Sequence, residues 1–307
     1  MLRSFAISGG RIAEQQNGDG NLLVYCNPDE AEKRVLVEQM LVDAHNLQSS
    51  MDPDEIARLE LEPDHVAMIF KRPKNYSAED ALVFKVSSMG LFWSPQRLIV
   101  VVPEDYPVFD GRPFQKVASV QDVVLRLLQQ TILHYLSHLR TINMISDSLE
   151  HKVNRAMENR YLLNLFALEK GLVYYQNALH SNQAVIEKLK AFAARIGITG
   201  DNLELLDDLI IENQQCYKQA EIASNIFASL MDARASIVNN NLNVLIKMLN
   251  IVTIAIMVPT FVVSAFSMNV KIPLSDRPAA FWIIMGLAAG SLAVFMVVWR
   301  LLNRRNS

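Results

Sequence analysis

The stretch Met248–Phe266, MLNIVTIAIMVPTFVVSAF, holds 19 residues without a charge, and Ala279–Trp299, AAFWIIMGLAAGSLAVFMVVW, holds a further 21. At about 1.5 Å per residue, each makes a helix of roughly 28–32 Å, the thickness of a hydrocarbon core. Only 12 residues separate the two runs. They read as a transmembrane hairpin rather than as a pair of buried core helices. The whole chain agrees. Of its 307 residues 51% are hydrophobic and 20% charged, with a mean hydropathy of +0.15, which tilts toward a partly membrane-embedded protein.

Charge gives the orientation. Arg300, Arg304 and Arg305 flank the second run, Lys247 precedes the first, and the loop between carries Lys271, Asp276 and Arg277. The balance mildly favours both termini inside. The first ten residues, MLRSFAISGG, contain no apolar core of a signal peptide. The polar bulk of the chain is therefore expected in the cytosol, and two spans return the tail there. The expected location is the cell (inner) membrane, multi-pass, with cytoplasmic N- and C-termini. A net charge of −3 and a pI near 6.1 give no basic field for nucleic acid. Cys26 and Cys216 lie 190 residues apart and read as reduced thiols, not a disulfide or a zinc site.

Ahead of the hairpin, the pattern predicts an α+β fold. SFAISGGRIAE reads as a β-hairpin around Gly9-Gly10, and NLLVYC as a strand. A helix is expected from Asp29 to about Asn46. HVAMIFKRP, ALVFKVSS and RLIVVVPED are strands by their β-branched content. No phosphate-cradling glycine loop, nucleophile elbow or other catalytic constellation appears, so neither an enzyme nor an organic cofactor is expected. From Ser119 to Lys170 there is no Gly or Pro, and apolar residues recur at helical spacing. Gly171 weakly interrupts this pattern, and a further helical stretch runs to Gly197. After GITGD, Asp201 and Glu204 resemble a capping box. Pro259 is then the only helix breaker before Phe266, which predicts a helix of about 100 Å running into the first span. The expected division is a cytosolic α/β domain over 1–117, a long-helix domain over 118–246 and the hairpin with its basic tail over 247–307.

Polar residues inside the first span form a line. Alternating steps of four and three from Asp232 land on Ser236, Asn239, Asn243, Ile246, Asn250, Thr253, Met257, Thr260 and Ser264. At about 100° per residue these stay within an arc of roughly 100°. Polar groups are costly in lipid, so the line must face protein or water. A polar seam between helices satisfies that condition. So does a wet axis shared by several copies, each giving one ring of side chains per position. Neutral oxygens in rings hold a hydrated cation loosely, and the apolar rings at Ile246 and Met257 can gate by dewetting.

At PTFVVSAFSMNVKIP, Pro259–Pro273, the sequence resembles the CorA-type divalent-cation (magnesium) transporter family. The family carries Gly-Met-Asn where the first span ends; here Ser267, Met268 and Asn269 stand in those places. Pro259-Thr260, Val270-x-x-Pro273 and YLLNLFALEKGLVYYQNALHSN, Tyr161–Asn182, are also similar to family members. The resemblance covers the whole chain. It implies a funnel-shaped homopentamer in membrane lipid, with first spans lining the pore and second spans around them. Asn269 is implied to meet a hydrated Mg²⁺ at the outer mouth. Asn243, Leu249, Met257 and Thr260 fall at family pore-lining or gate positions. Asp232 falls where the family carries a carboxylate for a regulatory Mg²⁺ near a subunit interface, with Asp52, Asp54 or Glu55 as its partner.

The serine in the motif is a departure, because glycine at a helix end supplies a positive φ or a close approach. The implied function is a Mg²⁺ channel or transporter driven by the electrochemical gradient and gated by cytosolic cations. The alternatives are a Zn²⁺, Co²⁺ or Ni²⁺ transporter of the same fold, or a poorly conducting membrane cation sensor or scaffold. Three further groups need placing. His134 and His138 have metal-ligand spacing on a helix but no evident third ligand. Glu204, Asp207, Asp208 and Glu212 read as a solvated acidic face rather than a cation attractor. Arg300, Arg304 and Arg305 read as headgroup anchors.

Overall fold

The computed structural model describes residues 1–15, 20–75, 83–155, 159–268 and 278–305. The chain forms two compact units, Met1–Met231 and Asp232–Ser307. In the first, the described strands are β1 (Leu2–Ser8), β2 (Arg11–Gln15), β3 (Leu22–Cys26), β4 (Arg58–Leu61), β5 (Val66–Pro73), β6 (Val86–Trp93) and β7 (Leu98–Val102). They make one sheet in the order β2-β1-β3-β7-β6-β5-β4, antiparallel except for the parallel pair β3 and β7. Gly9 and Gly10 adopt φ of 59° and 78° and turn β1 into β2. Type I′ hairpin turns require positive φ at both central positions, and glycine supplies it without strain.

The apolar runs of β3 and β7 are buried on both faces, which is why they lack polar alternation. Side chains alternate across a strand. Leu22, Val24, Leu98, Val100 and Val102 therefore join one core with Met68, Phe70 and Leu91. Leu23, Tyr25, Ile99 and Val101 join the other with Ile69 and Phe92. The second face is covered by α1 (Glu30–Glu38) and α2 (Ala44–Met51) through Leu36 and Leu47. The first is covered by α3 (Val120–Arg155) and α4 (Asn159–Ala191), whose Leu128, Tyr135, Leu168 and Leu179 share its core. The short α5 (Ala193–Ile196) leads to Gly197, whose φ of 79° ends it. Then α6 (Asp201–Ala265) begins; its buried residues Leu206, Leu209, Cys216, Ala220 and Phe227 close the same core. Cys26 and Cys216 are both buried and free.

Three expectations need correction. The single helix from Asp29 to Asn46 is two. Leu41 takes a φ of 58°, Val42 N–H donates to Leu36 O at 3.0 Å, and Asp43 then caps α2 by accepting from His45 N and Asn46 N. Alternating apolar residues hid this break, because the turn uses leucine rather than glycine. Nor does Gly171 interrupt its helix, since α4 runs through it. A Cβ there would lie 3.0 Å from Phe84 Cβ and 3.1 Å from that residue's backbone, so the glycine serves a close approach. The strand expected at ALVFKVSS starts only at Val86 and continues to Trp93. Its first residues, Ala81 and Leu82, lie outside the described residues.

One buried amide ties α4 to the sheet. β4 pairs with β5 only as far as Ile69. Beyond that point the backbone of Lys71 is met by Asn182, whose Oδ1 accepts from Lys71 N at 2.9 Å and whose Nδ2 donates to Lys71 O at 2.7 Å. Asn182 is fully buried, so it replaces the missing neighbour strand. Asn182→Leu removes both bonds and leaves a buried N–H and C=O unpaired. The expected loss is about 2–4 kcal/mol, read as a lowered denaturation midpoint of the full chain in detergent. An unshifted midpoint would mean that water replaces the amide.

Candidate functional site

The second unit consists, among its described residues, of the later part of α6 and of α7 (Ala280–Arg305). These two helices are long and apolar enough to cross a membrane. Helix α6 is unbroken across Asn239-Asn240-Asn241 and through Pro259. Pro259, the one helix breaker in this stretch, is thus absorbed within a continuous helix.

The residues of α6 in this unit divide by exposure. Ile251, Ala255, Val258, Pro259, Val262 and, just past the helix, Phe266 are partly covered, whereas Asn243, Ile246, Leu249, Asn250, Thr253, Met257, Thr260, Ser264 and, past the helix, Ser267 are exposed, as are the apolar Val252, Ile254, Ile256, Phe261 and Val263 on their flanks. At about 100° per residue the two sets centre on opposite sides of the helix, roughly 170° apart. Helix α7 likewise has one covered stripe, with Ile283, Ile284, Ser291, Leu292, Phe295 and Trp299 partly covered around the buried Ala288. The polar arc is therefore not the face that the hairpin covers. Leu249, which falls off the strict alternation of fours and threes, shares the arc.

Three hydroxyls on this side share a geometry. Thr253 Oγ1 donates to Leu249 O at 2.9 Å, Thr260 Oγ1 to Ile256 O at 2.7 Å and Ser267 Oγ to Val263 O at 2.9 Å. Each hydroxyl has one proton and two lone pairs. With the proton held inside the helix, each oxygen offers lone pairs alone. Such oxygens suit the outward-pointing hydrogens of a hydrated cation. Ser267 is not among the described residues with positive φ. Met268 is exposed. Asn269, Val270, Lys271, Pro273, Asp276 and Arg277 lie outside the described residues.

The acidic candidates belong to different units of the chain. Asp232 is exposed at the start of the second unit. In the first unit, Asp52 and Asp54 follow α2 and are exposed. Glu55 is engaged, with Oε2 accepting from Ser49 Oγ at 3.0 Å and Oε1 paired with Arg58 Nη1 at 3.0 Å. That leaves Asp52 and Asp54 as the available carboxylates of MDPDE. The loop is held from beneath. Lys71 Nζ donates to Pro53 O at 2.6 Å and to Ser88 Oγ at 2.9 Å, and Ser88 Oγ donates to Asp52 O. Burial pulls the Lys71 ammonium down to about 8, against the pull of Asp52, Asp54 and Glu55. Nothing in the spacing of the sequence pointed to Lys71.

Within the acidic face of α6, Asp207 pairs with Lys190 at 2.6 Å, and burial beside Asp208 raises the Glu212 carboxyl. Among the described residues no three His, Cys, Asp or Glu side chains converge as a metal cluster. His134 and His138 do meet, with Nε2 atoms 3.1 Å apart. Burial lowers both imidazoles to about 4, and at His134 the neighbouring His138 and Arg72 add to the effect.

Residues 21–304 match the family described as CorA-like Mg²⁺ transporter protein. The cobalt/magnesium transport protein CorA of Methanocaldococcus jannaschii is 24% identical over 285 residues, covering 89% of this chain and 88% of that protein. The complete structure of the CorA magnesium transporter from Methanocaldococcus jannaschii is similar with a TM-score of 0.82 and 21% identity, covering 97% of this chain and 96% of that one. The structure of the full-length CmaX protein gives a TM-score of 0.76 at 15% identity, with 99% and 97% covered.

The division of α6 into two faces is directly testable, because the native cysteines are buried and give little background. In membranes, single cysteines at Asn250, Thr253, Thr260 and Ser264 are expected to react with a charged, water-soluble thiol reagent. Cysteines at Ile251, Ala255 and Val262 are expected to react at least tenfold more slowly. Equal rates on both faces would remove the wet arc.

Proposed function

The chain belongs to the CorA-like Mg²⁺ transporter family, whose members are inner-membrane divalent-cation transporters and not enzymes, and we propose that its cation path follows the exposed arc of α6. In this reading copies of the chain, five by the family pattern, bring their arcs together around one axis. Asn243, Asn250, Thr253, Thr260 and Ser264 then supply rings of neutral oxygen, and Ile246, Leu249 and Met257 supply apolar constrictions. The observation that carries the reading is the placement of this arc opposite the covered face of α6, with hydroxyl protons turned inward to Leu249 O and Ile256 O.

Mg²⁺ is the proposed ion. It sheds its water slowly and is bound most readily through its hydration shell. Acceptor-only oxygens match that shell, and Ser267, Met268 and Asn269 are the proposed outer mouth. An inside-negative potential of 100 mV supplies about 4.6 kcal/mol to a divalent ion, so uptake needs no nucleotide motor. The proposed regulatory Mg²⁺ joins Asp232 of one copy to Asp52, or Asp54, of another and favours the closed state. The N- and C-termini are cytoplasmic.

A second reading has its own support. Ser267 replaces the motif glycine, and Lys271 with Arg277 outweighs Asp276 in the outer loop. That loop does not concentrate divalent ions strongly, which favours cation sensing with little flux; a Zn²⁺, Co²⁺ or Ni²⁺ transporter of the same fold is the other alternative. Reconstituted vesicles separate the readings. Mg²⁺ flux is expected from the wild type, with at least a tenfold loss in Asn269→Ala while the oligomer persists on size exclusion. Unchanged flux in that variant would remove the asparagine from the path. Protease protection by Mg²⁺ without Mg²⁺ flux would support the sensor.

A further inference from the structure

The histidine pair on α3 has no part in the path along α6. His134 Nε2 and His138 Nε2 lie 3.1 Å apart, with the rings edge to face and their centroids 4.4 Å apart. In a tetrahedral site with metal–nitrogen bonds of about 2.0–2.1 Å, two ligand nitrogens lie about 3.3 Å apart. The nitrogens are thus within a few tenths of an ångström of that spacing, and a turn of the exposed-side His134 ring that parts the centroids aims both lone pairs at one ion. His138 is held in place: its Nδ1 meets Tyr175 OH at 2.5 Å, its ring lies within 14° of parallel to that of Tyr175 beyond this bond, and Phe84 packs against it edge to face. A histidine ligand characteristically donates its second ring N–H to a fixed acceptor; with Nδ1–H donating to Tyr175 Oη, the Nε2 lone pair of His138 is free for a metal. His134 is only partly buried, which gives the ion access from water. The nearby cation, Arg72, is balanced by Glu104 at 2.7 Å.

We propose that His134 and His138 form a two-nitrogen site for a divalent transition metal such as Co²⁺, Ni²⁺, Cu²⁺ or Zn²⁺, with water completing the shell and Tyr175 positioning His138. Imidazole nitrogens suit these borderline ions, whereas Mg²⁺ prefers oxygen. The site discriminates against the ion proposed for α6. It stands on the geometry of α3 and α4 alone and does not depend on the transport reading.

The test uses the full chain in detergent with a large excess of Mg²⁺ to occupy oxygen sites. Cu²⁺ is added at one equivalent, and pulsed electron paramagnetic resonance reads the remote nitrogens of bound imidazoles. The wild type is expected to show two imidazoles on one Cu²⁺. Co²⁺ titration in the same buffer is expected to give a visible absorption that saturates at one ion per chain. His134→Gln, at the accessible position, should lower Co²⁺ affinity at least tenfold with an unchanged melting temperature. Tyr175→Phe should lower it by about 10–100-fold while retaining both imidazoles. Detection of fewer than two imidazoles in the wild type, or Co²⁺ affinity undiminished in His134→Gln, would show the pair to be only a buried hydrogen bond.

Discussion

Hydrocarbon offers no hydrogen-bond partner, and that constraint governs how α6 must be used. A hydroxyl escapes the constraint by bonding the carbonyl four residues back, as Thr253 and Thr260 do. Asparagine does not escape so easily, since its amide carries two donors and an acceptor. Asn250 lies on the exposed arc within the first span, and in a lone chain its amide would face lipid. An isolated hairpin is therefore an unfavourable state of this sequence. Self-association that turns the arc inward removes the cost, and the larger the hydrated space it encloses, the less each amide depends on a protein partner.

The same hydroxyl geometry bears on the serine of the outer motif. Glycine is required at a helix end where φ is positive, and Ser267 is not in that region. Its Oγ instead donates to Val263 O, as the threonines do to their own carbonyls. In conformation, then, the replacement costs the backbone nothing here. In chemistry it extends the series of proton-committed oxygens by one position toward the mouth. What glycine would have offered beyond this is room for close approach of neighbouring copies, and a serine side chain is the smallest that bears an oxygen.

Much of this was readable from residue order because the signals were long or chemically simple. Two uncharged runs gave the spans, Gly9-Gly10 gave the first hairpin, and the period of the polar residues gave the arc. The failures share a cause. Leu41 breaks a helix without a breaker residue, and Gly171 sits within a helix because Phe84, distant in sequence, presses on it. Asn182 looks like one more polar helix position until the end of β4 exposes the Lys71 backbone. Tyr175 approaches His138 only after α3 and α4 pack. Each is a contact between elements far apart in sequence, and periodicity carries only local information. The covered and exposed sides of α6 were similarly ambiguous, since a polar line fits a seam as well as a wet axis; exposure in one chain shows only that the line is not the face packed within the hairpin.

The acidic loop after α2 shows how charge count sets the strength of a site. Affinity for a divalent ion rises with the number of carboxylates that face it and falls with any fixed positive charge nearby. Of the three acids in MDPDE, Glu55 is already neutralised by Arg58. Beneath the other two, Lys71 grips Pro53 O and is itself pulled down to about 8 by burial. At neutral pH it is still mostly charged, so it offsets part of the field of Asp52 and Asp54. On the proposed regulatory reading, the loop is rigid but electrostatically weak. A weak site empties as the free ion falls, whereas a strong one would stay loaded and report nothing. Lys71 is thus suited to both tasks, fixing the loop's shape and keeping its hold on a cation loose enough to be reversible.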